Sequence, residues 1–260
     1  HLASKMGSLD VIKGFFSKNT SWSPDINRKN QDGWTSIHLA CENKHVDVMR
    51  FLIDHNASVK TLTPDQWSLA HIAADVESFD AMKLLLNQDA SDKKVNINAR
   101  NSERWTALHF ATARGNVEII RLLMEHHADL SVPTEEMWTV VHLAALKGHT
   151  SVLQYFRKQK LFWRQSVNLE DTEGWTALHL AVWGNHFECV RQLLDNGAAL
   201  SQFRGTLWTP FHEAAVQGLN DIIQLFLKTG KSNKEGDLLY KVDAEGKTAL
   251  ILAATEGHTD

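Results

Sequence analysis

Several things are scarce in this chain of 260 residues. There are two cysteines, Cys41 and Cys189. They cannot make a disulfide framework, and both fall on inward helix faces, so a reducing, cytoplasmic setting is the expectation. There are four prolines, too few for a Pro-rich linker. No apolar run reaches the roughly 18 residues of a membrane span. Basic residues are not in excess: 27 Lys and Arg face 31 Asp and Glu. The basic stripe that a nucleic-acid partner demands is therefore missing. Metal and nucleotide chemistry are also poorly supplied. The 14 histidines have no accompanying cysteine pair or third ligand of zinc spacing. Thr229-Gly230-Lys231-Ser232 looks like the tail of a phosphate loop, but Leu225 stands where that loop needs glycine. No Ser/His/Asp or Cys/His set stands apart, so no catalytic residue, cofactor or metal ligand is assigned.

What is abundant is repetition. Thr or Ser, two residues, then His recurs: Thr35 to His38, Ser68 to His71, Thr106 to His109, Thr139 to His142, Thr176 to His179 and Thr209 to His212. Thr248 to Ile251 is a seventh copy without the histidine, and His1 is the end of another. Counted from His1 to Ile251, the steps are 37, 33, 38, 33, 37, 33 and 39 residues. A hydroxyl residue just before an apolar segment is a helix N-cap. Two residues beyond each motif position stands alanine, the best helix former and small enough for close helix stacking: Ala40, Ala73, Ala111, Ala144, Ala181 and Ala214. Apolar pairs at helical spacing follow, such as Val48-Met49 with Leu52-Ile53, which predicts a second amphipathic helix. Asn56 and Gly197 mark left-handed helix ends.

A step of 33 residues with this core resembles the ankyrin repeat family. The best matches are Asp32-Gly33-Trp34-Thr35 and Glu173-Gly174-Trp175-Thr176-Ala177-Leu178-His179-Leu180-Ala181. The resemblance implies an all-α solenoid with short β-hairpin fingers. It would be a single domain, 1–260, of about six full and two partial repeats: 1–29 (partial), 30–62, 63–100, 101–133, 134–170, 171–203, 204–242 and 243–260 (partial). Repeats of 33 alternate with repeats of 37–39, and both ends lack a polar capping repeat, so a segment of a longer protein is expected. The resemblance also assigns the motif histidines, and His45, His149, His186 and His258 seven residues later, to hydrogen bonds between helix and loop. The function it implies is non-catalytic protein–protein recognition by a monomer through the concave face.

Some positions vary where the repeat demands nothing. Trp34, Trp67, Trp105, Trp138, Trp175 and Trp208 each precede the motif Thr or Ser. Acids stand two before the first five, at Asp32, Asp65, Glu103, Glu136 and Glu173, and Thr206 breaks the run before Trp208. Four residues after the motif His, facing the groove, the series reads Glu42, Asp75, Ala113, Leu146, Trp183 and Val216. Leu146, Trp183 and Val216, flanked by Trp138, Trp175 and Trp208, have the composition of an interface anchor. Glu42, Asp75, Glu103 and Glu136 would attract a basic flank of the partner. Gly184 would leave room beside Trp183. The extra residues of the long repeats fall near 17–23, 88–94, 158–165 and 229–236, with Trp22 and Trp163 either covering a helix end or forming a second contact ridge. Two other classes stay open: a structural spacer of a cytoskeletal, channel-type or toxin-type protein, and a substrate-recruiting array of an enzyme whose catalytic domain lies elsewhere.

Overall fold

A computed structural model describes residues 1–16, 25–88, 94–200, 207–233 and 238–258. The first insertion, with Trp22, lies outside them, as do residues 89–93 of the second and 234–236 of the fourth. The chain divides into two compact units, His1–Val132 and Pro133–Asp260.

Both units are built from helix pairs. The first unit holds α1 Leu2–Lys5, α2 Leu9–Phe15, α3 Ser36–Glu42, α4 Val46–Asp54, α5 Leu69–Asp75, α6 Phe79–Leu86, α7 Ala107–Ala113 and α8 Val117–Glu125. In it α1, α3, α5 and α7 stack in one layer and α2, α4, α6 and α8 in the other. The second unit holds α9 Val140–Leu146, α10 Thr150–Arg157, α11 Lys160–Ser166, α12 Ala177–Trp183, α13 Phe187–Asp195, α14 Pro210–Val216, α15 Asn220–Asn233 and α16 Ala249–Glu256. There α9, α12, α14 and α16 form one layer, and α10, α13 and α15 the other. The Thr229-Gly230-Lys231-Ser232 stretch continues helix α15, so it is no phosphate loop.

The first helices show why the motif repeats. Those from α3 to α14 that open on a Thr or Ser cap are seven residues long. The cap residue's N–H donates to Nδ1 of the motif His at 2.9–3.2 Å. A nitrogen that accepts carries no proton, so the proton sits on Nε2. Nε2 then donates to carbonyls that follow in the chain: His38 to Thr61, His71 to Ala99 and Trp105, His142 to Leu169 and Trp175, and His212 to Lys241, at 2.9–3.1 Å. The same edge of His109 and His179 faces the backbone of Val132 and Trp208, but the buried Nε2 of His109 meets no acceptor within hydrogen-bonding geometry. In the other four repeats one imidazole completes its own helix cap and hydrogen-bonds the backbone of the following finger.

The alanines two residues on are fully buried in α3, α5, α7, α9, α12 and α14. A larger side chain there would overpack the stack. A second set of histidines ties the other end of the helices. His45, His186 and His258 donate from Nε2 to Lys5, Leu146 and Val216 carbonyls at 3.0, 2.9 and 2.8 Å. Each ring lies where a Cβ on Gly7, Gly148 or Gly218 would stand, 2.6–2.7 Å away, and each of these glycines also has a positive φ. Both cysteines are buried free thiols.

The fingers are tight turns rather than strands. Among the described residues, antiparallel pairing is limited to the isolated bridges Glu170–Thr176 and Val242–Thr248. The residue before each Trp is left-handed at Gly33, Gln66, Arg104, Met137, Gly174 and Leu207, so the non-glycine positions accept the same geometry with some strain. The insertion near 158–165 forms helix α11. Its Trp163 is buried and its indole N–H donates to the Asn196 carbonyl at 2.8 Å. That ring therefore covers the helix end rather than projecting for contact, while Leu161 on the same helix is exposed.

Burial holds the motif imidazoles neutral. Desolvation pushes His38 and His109 down to about 4 and His179 to about 3, and lowers His71, His142 and His212 as well. The unfolded chain takes up protons below the ordinary value near 6.5 and the folded chain does not. Stability is therefore complete above pH 6.5 and is withdrawn as pH falls from there toward about 4. At pH 5 each histidine held near 4 contributes a loss of about 2 kcal/mol. Thermal melts at pH 7.5 and pH 5 should show a large drop in Tm; equal midpoints would contradict the neutral assignment.

Candidate functional site

The side chains that the repeat does not consume gather beside the fingers. Each of the six row tryptophans is half-buried. Trp34, Trp67, Trp105, Trp175 and Trp208 lie 5.5–6.2 Å from their own motif histidine. In the first unit Phe110 fills the space between Trp67 and Trp105, at 4.4 and 5.1 Å. Each indole is thus partly packed and partly exposed, as an amphipathic ring allows.

The finger geometry depends on a residue that sequence reasoning passed over. Four residues before Trp34, Trp67, Trp105, Trp138 and Trp175, and before Lys247 in the last finger, stand Asn30, Thr63, Asn101, Thr134, Asp171 and Asp243, whereas Arg204 holds that offset from Trp208. In each Asn, Thr or Asp case the side-chain oxygen accepts the N–H of the later residue at 2.8–3.2 Å. The signal was present as an Asn/Asp/Thr recurrence at this offset, broken at Arg204, in residue types that close turns through their own side chains. Adjacent fingers also join directly, Ser102 N–H to Asp65 O at 3.1 Å and Thr172 N–H to Glu136 O at 3.0 Å.

In the second unit these pieces enclose a cleft of about 490 Å³. Trp138, Trp175, Trp183, Leu146 and Leu180 line it together with Glu136, Asp171, Glu173 and Lys147. Asp171 organises it. One carboxylate oxygen accepts the N–H groups of Glu173 and Trp175 at 2.9 and 2.8 Å, and the other accepts the Trp138 indole N–H at 2.8 Å. Trp183 is 56% exposed, while Leu146 and Val216 are half-buried. Trp208 donates its indole N–H to Glu213 at 3.1 Å. Gln217 reaches back to the Trp183 carbonyl at 3.3 Å. The space beside Gly184 is taken by the His186 ring, 2.6 Å from where a Cβ would stand, so that glycine serves the stack.

The acidic positions are not alike. Glu42 and Glu103 are exposed in the first unit, and Glu136 is exposed in the second. Glu136 accepts the Thr134 hydroxyl at 3.0 Å. Asp75 is engaged by Arg114 at 2.7 and 3.1 Å, an intramolecular pair between consecutive repeats that sequence reasoning did not foresee. A larger cavity, about 660 Å³, lies among Phe15, Phe16, Ile26 and Leu52. It carries none of the groove residues. Among the described residues no group of His, Cys, Asp and Glu could hold a metal ion, and no helix is long and apolar enough to cross a membrane.

These stacked helix pairs, turn fingers and histidine-closed caps define an ankyrin array, and the comparison with known families agrees. The family model for ankyrin repeats (3 copies) matches residues 1–97, 56–134, 91–161, 130–204 and 156–237. The chain belongs to the ankyrin repeat family, whose arrays are protein–protein interaction modules. It is 32% identical over 127 residues to the "Probable 26S proteasome regulatory subunit p28" of Saccharomyces cerevisiae, covering 49% of this chain and 53% of that protein. It is 38% identical over 93 residues to the glycerophosphocholine phosphodiesterase gde1 of Schizosaccharomyces pombe, 35% of this chain and 8% of that protein. A transient receptor potential cation channel subfamily A member 1 homolog of Caenorhabditis elegans is 23% identical over 201 residues, 65% of this chain and 16% of that protein. The matched region thus spans about half of the first relative and a small part of the others.

Removing Asp171 tests the architecture of the cleft. Asp171→Ala leaves three N–H groups without their charged acceptor, two of them on the finger backbone. We expect a loss of about 2–4 kcal/mol in chemical denaturation, with a shift in tryptophan emission as Trp138 is released. A change below about 0.5 kcal/mol would mean that Asp171 does not hold the finger.

Proposed function

We propose that this array binds a partner protein, as a monomer, through the groove of its second unit. Leu146, Trp183 and Val216 supply the apolar anchor, and Trp138, Trp175 and Trp208 flank it. The observation that carries this reading is the cleft lined by Trp138, Leu146, Trp175 and Trp183. In it a tryptophan with more than half its surface open stands on a rigid stack. Such anchors in partly desolvated pockets dominate most interfaces. Glu136 lines the same cleft. Glu42 and Glu103, exposed in the first unit, add negative charge that speeds the approach of a basic segment. Asp75 is the weakest member of that acidic set, because Arg114 already neutralises it. We place the protein in a reducing, cytoplasmic setting, supported by its two buried free thiols.

A second reading is that the array selects a substrate, or acts as a spacer, for activity carried elsewhere in a larger protein. The small share of gde1 and of the channel homolog that is matched favours it. Neither reading assigns chemistry to the array itself.

Affinity capture with mass spectrometry separates binding from a spacer role. The wild-type array is compared with Leu146→Ala/Trp183→Ala/Val216→Ala, once circular dichroism shows equal helicity. We expect at least one protein to be retained by the wild type and lost from the variant. Identical capture by both would overturn the groove assignment.

A further inference from the structure

The chemistry of the second-unit cleft goes beyond an apolar anchor. Three carboxylates, Glu136, Asp171 and Glu173, line it against one cation, Lys147, and three indoles stand among them. Asp171 is spent on the Trp138 indole and on two backbone N–H groups. It thereby fixes the orientation of the half-buried Trp138 indole. The Glu173 carboxylate is exposed and has no hydrogen-bond partner among the described residues. Trp183 closes one side with 56% of its surface open. Leu180, nearly buried, lies among the lining residues. The finger backbone offers little, because the Thr172 N–H is already donated to Glu136 O. Recognition here therefore falls to a side chain and not to an added strand.

We propose that this cleft is a subsite for one arginine side chain of a partner peptide. The proposal rests on the groove reading above and narrows it. A guanidinium is planar and weakly hydrated, stacks on indole faces, and donates two parallel N–H groups to a carboxylate. Glu173 and Glu136 supply acceptors at the rim, and the tryptophans supply the faces. A lysine ammonium satisfies only the charge, and an apolar side chain leaves the carboxylates without a counter-charge.

The test uses the array labelled with nitrogen-15 and four probes: acetyl-Gly-Arg-Gly-amide and its lysine, citrulline and norleucine counterparts. The readout is the indole N–H signals of Trp138, Trp175 and Trp183, assigned from single Trp→Phe variants. Trp34, Trp67 and Trp105 of the first unit serve as internal controls. The arginine peptide should shift the second-unit signals saturably, with the lysine peptide several-fold weaker and the citrulline peptide at least tenfold weaker. Glu173→Gln, an exposed substitution that should not disturb the fold, should weaken the arginine peptide at least threefold. Equal binding of the norleucine or citrulline peptide would overturn the arginine subsite while leaving the apolar groove standing. Equal binding of the lysine peptide would overturn the guanidinium assignment. Equal shifts of the first-unit indoles, or no shift with any probe, would overturn the subsite as well. The groove reading fails separately, through unchanged capture by the triple alanine variant.

Discussion

In four repeats one buried imidazole, that of His38, His71, His142 or His212, is used twice. Its Nδ1 accepts the N–H of the cap residue, and its Nε2 donates onward to the next finger. A helix of seven residues is too short to persist alone. The cap closes it at the start, and the onward bond makes its closure depend on the neighbouring repeat. The fully buried alanines follow from the same constraint, because the helices must approach closely for Nε2 to reach a carbonyl. So do the glycines at positions 7, 148 and 218, which yield space to the second set of rings. Stability is thus shared between neighbours, as expected where each repeat contacts chiefly the next one.

Function is written on what this ladder leaves over. The cap, the histidine and the alanine face inward and are interchangeable from repeat to repeat. The residue four beyond the histidine faces the groove, and nothing in the repeat fixes its identity. In the first unit that position is Glu42, Asp75 and Ala113, and Asp75 is absorbed by Arg114. In the second unit it is Leu146, Trp183 and Val216, and around the first two of them lies a cleft with three indoles and three carboxylates. On the arginine-subsite proposal, an acidic rim around aromatic faces would select a positively charged, flat ligand group more than sheer apolar area. The rigidity of the stack matters here, since preorganised anchors lose little entropy on binding.

Local features were legible in the sequence because they are set within a few residues. The Thr-x-x-His caps, the central alanines, the amphipathic second helices and the left-handed positions at Asn56 and Gly197 all follow from short-range rules. The burial of both cysteines followed from helical phase. Features set between repeats were not legible. The Asp171 to Trp138 bond spans 33 positions and the Arg114 to Asp75 pair spans 39. Such pairings depend on how one helix layer is rotated over the next, which periodicity does not encode. The space beside Gly184 looked open from sequence and is filled by His186, for the same reason. The insertion at 158–165 was legible as extra length and not as helix α11. Its residues contain no glycine or proline and several good helix formers, yet only the seat for Trp163 beneath the Asn196 carbonyl makes the helix worth forming.

The histidine ladder can be observed directly. Long-range proton–nitrogen correlation spectra of the imidazoles at neutral pH report which ring nitrogen carries the proton. For His38, His71, His109, His142, His179 and His212 the account requires the proton on Nε2 and a bare Nδ1, unchanged when the pH is lowered to 6. A proton on Nδ1 in these rings, or their titration near the ordinary value of about 6.5, would contradict it.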